Sequence, residues 1–246
     1  MKIKIKRATI DRPRVIVHML MSLDERVTGS FLSTEVGLKA CEEYYALHRE
    51  YKAQGFICGR VTMEQSFTKG AELDLDKYEG VYVPDGDFVA KKADFYAISI
   101  DPRGILGWQW ADIVDEDEGY NGAHIIEAVS ERASKKYLAY LREKGISYLI
   151  CGEERVDVCV LLEKLKALFG IEKVLLEGGP ITDTEFLMAG VIDKINLVVT
   201  PACNADGEGD TLFHGLDTTM ALRYFRLAGI KELENKNVLM CYESKK

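Results

Sequence analysis

Apolar and polar positions along this chain switch repeatedly between a strand-like and a helix-like period. Val15-Ile-Val-His-Met-Leu-Met21 is a nearly continuous apolar run, the pattern of a strand buried on both faces. Over residues 36–52 the period becomes helical. Ala40, Cys41, Tyr44, Leu47 and Tyr51 share one face, and Ser33 or Thr34 is placed to cap the helix. Short buried strands are predicted at 55–59, 95–100 and 124–129. A helix follows over 134–144, ended by Gly145, and then a strand over 147–151. Asp157 caps a helix whose apolar stripe is Val158, Leu161, Leu162, Leu165, Leu168 and Phe169. A strand at 173–176 leads to a helix over 182–189. That helix opens on the capping box Thr182-x-x-Glu185 and stops at Gly190. A strand at 193–200 and an antiparallel pair at 222–228 and 238–242 complete the pattern. The fold class is α/β: a mostly parallel central sheet with helices on both faces and an antiparallel C-terminal hairpin.

Composition narrows the classes. With 47% apolar and 29% charged residues, the 246-residue chain is an ordinary globular sequence, which excludes disorder, collagen and coiled coil. Only five prolines occur and no linker-like stretch divides the chain, so residues 1–246 read as one domain. The net charge of −8 argues against nucleic acid as a partner; the one dense basic cluster is Lys2, Lys4, Lys6 and Arg7. No run approaches the roughly 18–20 apolar residues of a membrane span, and the opening residues lack the apolar core of a signal peptide. Six cysteines without a C-x-x-C pair read as free thiols in a reducing cytoplasm. Residues 69–92 and the acidic run 112–118 read as surface excursions, the latter as a solvated loop.

Three predicted strands end in glycine-bearing junctions: Ile57-Cys-Gly59-Arg-Val-Thr62, Ile150-Cys-Gly152-Glu, and Leu176-Glu-Gly178-Gly179-Pro180-Ile-Thr182. Glycine permits close backbone approach by a ligand, and a helix N-terminus offers free N–H groups to an anion. Such loops converge at the carboxyl edge of an α/β sheet, which suits a phosphate-rich dinucleotide. Neither G-x-G-x-x-G nor G-x-x-x-x-G-K-[ST] occurs, so the ordinary nucleotide motifs are missing. The four histidines, His18, His48, His124 and His214, are too scattered to predict a metal site, and His48 and His124 read as structural. His18, Leu20, Ser22 and Asp24 share a face if the first strand runs that far. Ser22 and Asp24 either satisfy the turn before Arg26 or face the crevice.

Four segments carry a family likeness: Met21-Ser-Leu-Asp-Glu-Arg26, Cys58-Gly-Arg-Val-Thr62, Val156-Asp-Val before an amphipathic helix, and Leu175-Leu-Glu-Gly-Gly-Pro180 leading through Ala189-Gly-Val-Ile-Asp193 to Thr200-Pro201. With these the sequence resembles, over residues 14–212, the reductase domain of riboflavin biosynthesis. That domain is the C-terminal part of the bifunctional deaminase–reductase, and its fold is related to dihydrofolate reductase. The resemblance implies NADPH-dependent reduction. It implies cofactor contacts at Gly59, Arg60, Thr62, Gly152, Gly178, Gly179, Pro180 and Thr182, with Arg103 of Asp101-Pro-Arg-Gly104 as a candidate for the adenosine 2′-phosphate. It implies substrate-facing positions at Ser22, Asp24 and Glu177, and at His18, where many members carry lysine. A homodimer is implied too.

Two departures stand out. Glu25 occupies the glycine position of the family's Ser-x-Asp-Gly, and Met63-Glu-Gln-Ser-Phe-Thr68 replaces a stretch whose basic residues hold the substrate's ribose phosphate. The expected activity is hydride transfer from NADPH to a C=N or carbonyl carbon of a pyrimidine- or pteridine-like substrate. It is most like that of 5-amino-6-(5-phosphoribosylamino)uracil reductase. Asp24 and Glu177 are the candidate catalytic carboxylates, and the sequence does not choose between them. The alternatives are a dihydrofolate reductase-like activity and a non-catalytic nucleotide-binding protein.

Overall fold

The computed structural model describes residues 11–203, 209–214 and 222–245; the Lys2, Lys4, Lys6, Arg7 cluster lies outside them. Nine strands form one sheet: β1 (Arg14–Ser22), β2 (Gly55–Gly59), β3 (Tyr96–Ile100), β4 (His124–Val129), β5 (Ser147–Ile150), β6 (Lys173–Leu176), β7 (Ile192–Thr200), β8 (Phe225–Glu232) and β9 (Val238–Ser244). Their order is β5-β4-β3-β2-β6-β1-β7-β9-β8. The first seven are mutually parallel, and β9 and β8 close the other edge as an antiparallel hairpin. The α/β architecture read from the sequence is the one observed.

Alternation along β1 sorts the two faces of the sheet. Val15, Val17 and Met19 join one core with α4 (Val158–Phe169) and Phe186 of α5 (Pro180–Ala189). Ile16 and Leu20 face the other way, towards α1 (Glu35–Glu50), the short α2 (Arg60–Met63) and α3 (Lys135–Lys144). The helix starts follow predicted caps: Thr34 Oγ1 accepts from Gly37 N, Ser134 Oγ from Tyr137 N, and Asp157 Oδ1 from Cys159 and Val160 N. Helix α5 is different. It begins at Pro180, two residues before the predicted capping box, with Gly179 as its N-cap and no side-chain cap. Proline pre-sets the helical φ at the first position, and this outweighs the Thr182 box. Thr182 is buried instead, inside the first turn.

The remaining differences lie at the edges. β8 runs three to four residues later than the predicted 222–228, because it is an exposed edge strand with a weak two-residue pattern and a bulge after Leu227. Residues 69–92 are no loose excursion. Tyr78 and Val83 are buried, and Phe88 exchanges two backbone hydrogen bonds with Tyr148, covering the open edge of β5. All six cysteines are free; Cys58 and Cys151 are buried, whereas Cys203 is exposed. No helix among the described residues is long and apolar enough to cross a membrane.

Candidate functional site

The site begins where β6 stops. Leu176, its last residue, is level with Val17 of β1, yet β1 continues to Ser22 alongside β7. At about 3.3 Å per residue, β1 overhangs the end of β6 by roughly 16 Å. The Glu177–Pro180 turn and the start of α5 sit in this notch, beside the point where strand order reverses around β1 and β2. Glu177 N donates to Ile57 O at 3.0 Å and Gly59 N to Gly178 O at 2.9 Å, so the turn is stitched to the end of β2.

The fold itself demands three of the four junction glycines. A Cβ on Gly59 would lie 2.4 Å from Thr182 Oγ1, and one on Gly152 would lie 2.4 Å from Arg155 O. Gly178 has φ +101°, which L side chains rarely adopt. Gly179 is the exception. Its φ is −34°, and the nearest atom to a Cβ there is Thr62 Oγ1 at 3.5 Å, an ordinary contact. The Thr62 hydroxyl accepts from Gly179 N at 3.3 Å. The first intrahelical bond of α5 is Asp183 N to Gly179 O, so the N–H groups of Ile181 and Thr182 precede it at a helix start without a side-chain cap. Along the same sheet edge, Arg103 follows β3 and is exposed, Gly152 follows β5, and Arg60 is engaged with Glu64 at 2.7 Å. From β2 to β5 there are three strand spacings, about 14 Å in all. The donors and open backbone here fit an extended phosphate-bearing cofactor.

Beside this edge, between α1 and β2, lies a cavity of about 410 Å³. Phe56, Phe67, Tyr44, Tyr45 and Tyr120 supply its aromatic walls, Cys58, Thr62 and Ser66 line it further, and Glu177 lies among its lining residues. The Glu177 carboxylate accepts from His48 Nδ1 at 2.7 Å and from Tyr120 Oη at 3.0 Å. His48 Nε2 meets Gly119 O at 3.1 Å. Both partners of the imidazole are oxygens able to accept, an arrangement that favours the doubly protonated ring. Burial opposes that charge, but the Glu177 carboxylate and the Gly119 carbonyl outweigh it and raise the His48 pKa above 6.5. The side chains of both are only 2% exposed, so this is a buried ion pair with hydrogen bonds at both ends.

The predicted substrate residues separate. Glu177 reaches the cavity. His18 does not: it is wholly buried, donates from Nε2 to Tyr44 O at 3.0 Å, and stacks on the Tyr44 ring at 4.2 Å. Burial lowers its pKa to about 4, so it is neutral at neutral pH, unlike the lysine that the resemblance implies for many members at this position. The first strand ends at Ser22, so Asp24 falls in the turn and not on a continuing strand face. Ser22 Oγ donates to Asp24 Oδ1 at 2.6 Å and accepts from Arg26 N at 3.0 Å. Glu25 takes φ +67° in that turn, the left-handed conformation for which glycine is suited. His124 is structural as read, bonded to Asp112 and Ser147.

Sequence reasoning read His48 as structural and missed its pairing with Glu177, 129 positions away in the chain. Its position one residue after Leu47 on the buried face of α1 was the available signal. It also missed the acidic loop. Asp115, Glu116 and Asp117 line the cavity, and Arg49 Nη1 clasps Asp117 at 2.8 and 3.0 Å, so this run is a rim and not a free loop. Among the described residues no group of three or more His, Cys, Asp or Glu is arranged to hold a metal ion.

Comparison with known proteins bears on this arrangement. Residues 110–239 match the model of the RibD C-terminal domain. Two curated relatives bear the name 2,5-diamino-6-ribosylamino-4(3H)-pyrimidinone 5′-phosphate reductase. The one from Methanothermobacter thermautotrophicus is 32% identical over 205 residues, covering 83% of this chain and 85% of that protein. The one from Aquifex aeolicus is 34% identical over 212 residues, covering 84% of each. Among solved structures, a pyrimidine reductase-like protein of Corynebacterium diphtheriae matches with TM-score 0.67 at 13% identity, over 95% of this chain and 92% of that one. The riboflavin biosynthesis reductase of Saccharomyces cerevisiae matches with TM-score 0.59 at 18% identity, over 95% and 90%. These two likenesses show the fold, which is the dihydrofolate reductase-like fold expected from the sequence.

The His48–Glu177 pair predicts a pH dependence. The folded pKa of His48 is raised, so the native state binds the extra proton between pH 6.5 and that folded value. Stability from this pair is full below pH 6.5 and is lost as pH rises through the window, with a slope of at most about 1.4 kcal/mol per pH unit. Denaturant titrations across that range are expected to show the decline in the native protein and its loss in His48→Asn.

Proposed function

Because this chain belongs to the RibD C-terminal domain family, whose relatives above are reductases, we propose that it is an NADPH-dependent reductase of an amino-pyrimidine- or pteridine-like substrate. In this reading residues 1–246 form one reductase-like domain working in the cytoplasm. The observation that carries the cofactor half is Gly179: the fold does not need a glycine there, and its missing side chain leaves the start of α5 open to a phosphate. Gly178, Gly179, Thr182 and the Thr62 hydroxyl would hold the pyrophosphate. Gly59, Gly152 and Pro180 shape the edge, and Arg103, exposed after the end of β3, suits the adenosine 2′-phosphate as a forked donor. NADPH supplies the hydride when bound; the protein supplies orientation and exclusion of water.

The residues of the chain then manage the proton. Hydride addition to a C=N or carbonyl carbon leaves an electron pair on the heteroatom, which must be protonated. Glu177 lies on the cavity wall with His48 behind it; the proton would leave His48 Nδ1 for the Glu177 carboxylate and pass from there to the substrate heteroatom, leaving His48 neutral. Tyr120 holds the second carboxylate oxygen and fixes its direction. Asp24, tied to Ser22 in its turn, orients the overhanging end of β1. The buried His18 sets Tyr44, and through it the cavity wall. Subunits would pair through the β8 edge, where Leu227 and Ile230 are half or more exposed and no further strand pairs among the described residues.

Three outcomes are expected. Gly179→Asp places a favourable N-cap residue on α5, so its melting temperature should hold while NADPH affinity falls about tenfold or more. Unchanged affinity in a titration would remove this helix start from the cofactor site. Glu177→Gln should lose roughly 10²-fold or more in turnover with NADPH affinity retained, and Asp24→Asn should lose less; the reverse order in steady-state rates would transfer the proton step to Asp24. Sedimentation equilibrium should show twice the 27.7 kDa chain mass; a monomer at micromolar concentration would contradict the β8 pairing.

A further inference from the structure

We propose that the buried carboxylate of Asp101 is a positioning residue for cofactor choice: it holds the turn after β3 in the shape that presents Arg103 to the 2′-phosphate of NADPH. The inference rests on the reductase reading above and names what fixes one contact within it. Gly59 and Ile100 are level in the β2–β3 pairing, so Asp101 opens its turn directly beside the Gly59 junction. Two strand spacings, about 10 Å, separate β3 from β6, whose end leads into α5. The turn thus shares a sheet edge with the start of α5.

Several groups clamp this turn. Asp101 is 1% exposed; its Oδ2 accepts from Ile105 N at 2.5 Å and from Leu106 N at 3.0 Å, and its carbonyl accepts from Gly104 N at 3.0 Å. Ser130, just past β4, donates to Pro102 O twice, from N at 3.0 Å and from Oγ at 2.7 Å. Gly104 has φ +65°, and a Cβ there would meet Tyr137 Cδ1 at 2.3 Å. Tyr137 Oη donates to Leu106 O at 3.2 Å, and the Pro102 ring fixes one more φ. Between these anchors the exposed residues are Arg103 and Ile105. Burial raises the Asp101 pKa, while its N–H partners and the nearby Arg60 charge oppose that. An arginine on a loose loop must be ordered when a phosphate arrives; one on a closed turn avoids much of that entropy loss. A forked guanidinium gains most from this, because its two donors must meet the dianion together.

The test is equilibrium titration of the full chain with NADPH and, separately, NADH, read as the ratio of the two affinities. Asp101→Ala should lower that preference for NADPH about tenfold or more while NADH affinity stays within about twofold. Asp101→Asn keeps an oxygen able to accept both N–H groups and should retain most of the preference. Arg103→Ala should lose it, and adding Asp101→Ala to that variant should change the ratio no further. A merely structural Asp101 would weaken both dinucleotides together; that result, or an unchanged ratio, overturns the proposal and leaves the reductase reading standing. If Asp101→Ala does not fold, Ser130→Ala decides: a lower ratio with NADH affinity kept supports the proposal, and an unchanged ratio overturns it. Equal affinity of the native chain for both dinucleotides also overturns it. Binding of neither to the native chain defeats the cofactor reading itself, and the proposal with it.

Discussion

Strand β6 ends at Leu176 in the middle of a nine-stranded sheet, while β1 beside it runs on. The chain must therefore leave the sheet between longer neighbours, with no space for a Cβ at Gly59. Gly178 meets this constraint with a left-handed φ, and Gly59 meets it by leaving space for Thr182. The bonds from Gly59 N to Gly178 O and from Glu177 N to Ile57 O then fix where α5 starts and where Glu177 points. Both halves of the site follow from that one turn: an open helix start on one side and a buried carboxylate on the other.

The carboxylate in turn organises the opposite layer. A buried Glu177 without a partner would be costly, and His48 from α1 supplies the charge while Tyr120 supplies a second donor. His48 and Arg49 are adjacent on α1; one reaches the Gly119 carbonyl and the other Asp117. The acidic loop is thus anchored to the same helix that neutralises Glu177. The cavity owes its shape to this clasp, and its negative rim is what remains once Arg49 and His48 are spent on their partners.

Much of the fold was legible because both faces of the parallel sheet are covered. Runs such as Val15–Met21 carry no alternation to confuse, and caps such as Ser134 and Asp157 carry local chemistry. Legibility failed where two local rules competed or a tertiary partner decided. Pro180 and the Thr182 box both signal a helix start, and only packing against Gly59 shows that Thr182 belongs inside the turn. β8 has one neighbour and two wet faces, so its limits come from its register with β9. In the site, the glycine turns stood out in the sequence itself, and Glu177 entered as an expectation through the family resemblance. The pairing of His48 could not be read, because nothing local marks a histidine on an apolar helix face as the partner of a distant carboxylate. Asp115–Asp117 looked like a solvated run because its clasp to Arg49 spans 68 positions.

The central claim is that the turn after β6 holds a phosphorylated nicotinamide dinucleotide. Titration of the chain with NADPH and, separately, NADH, followed by thermal stabilisation, tests it most directly, since a ligand that binds only the native state must raise its stability by mass action. The account predicts saturable stabilisation by NADPH and a clearly weaker effect of NADH, the difference arising from the 2′-phosphate. Absence of stabilisation by either dinucleotide would contradict it and would leave the glycine junctions as turns serving the sheet alone.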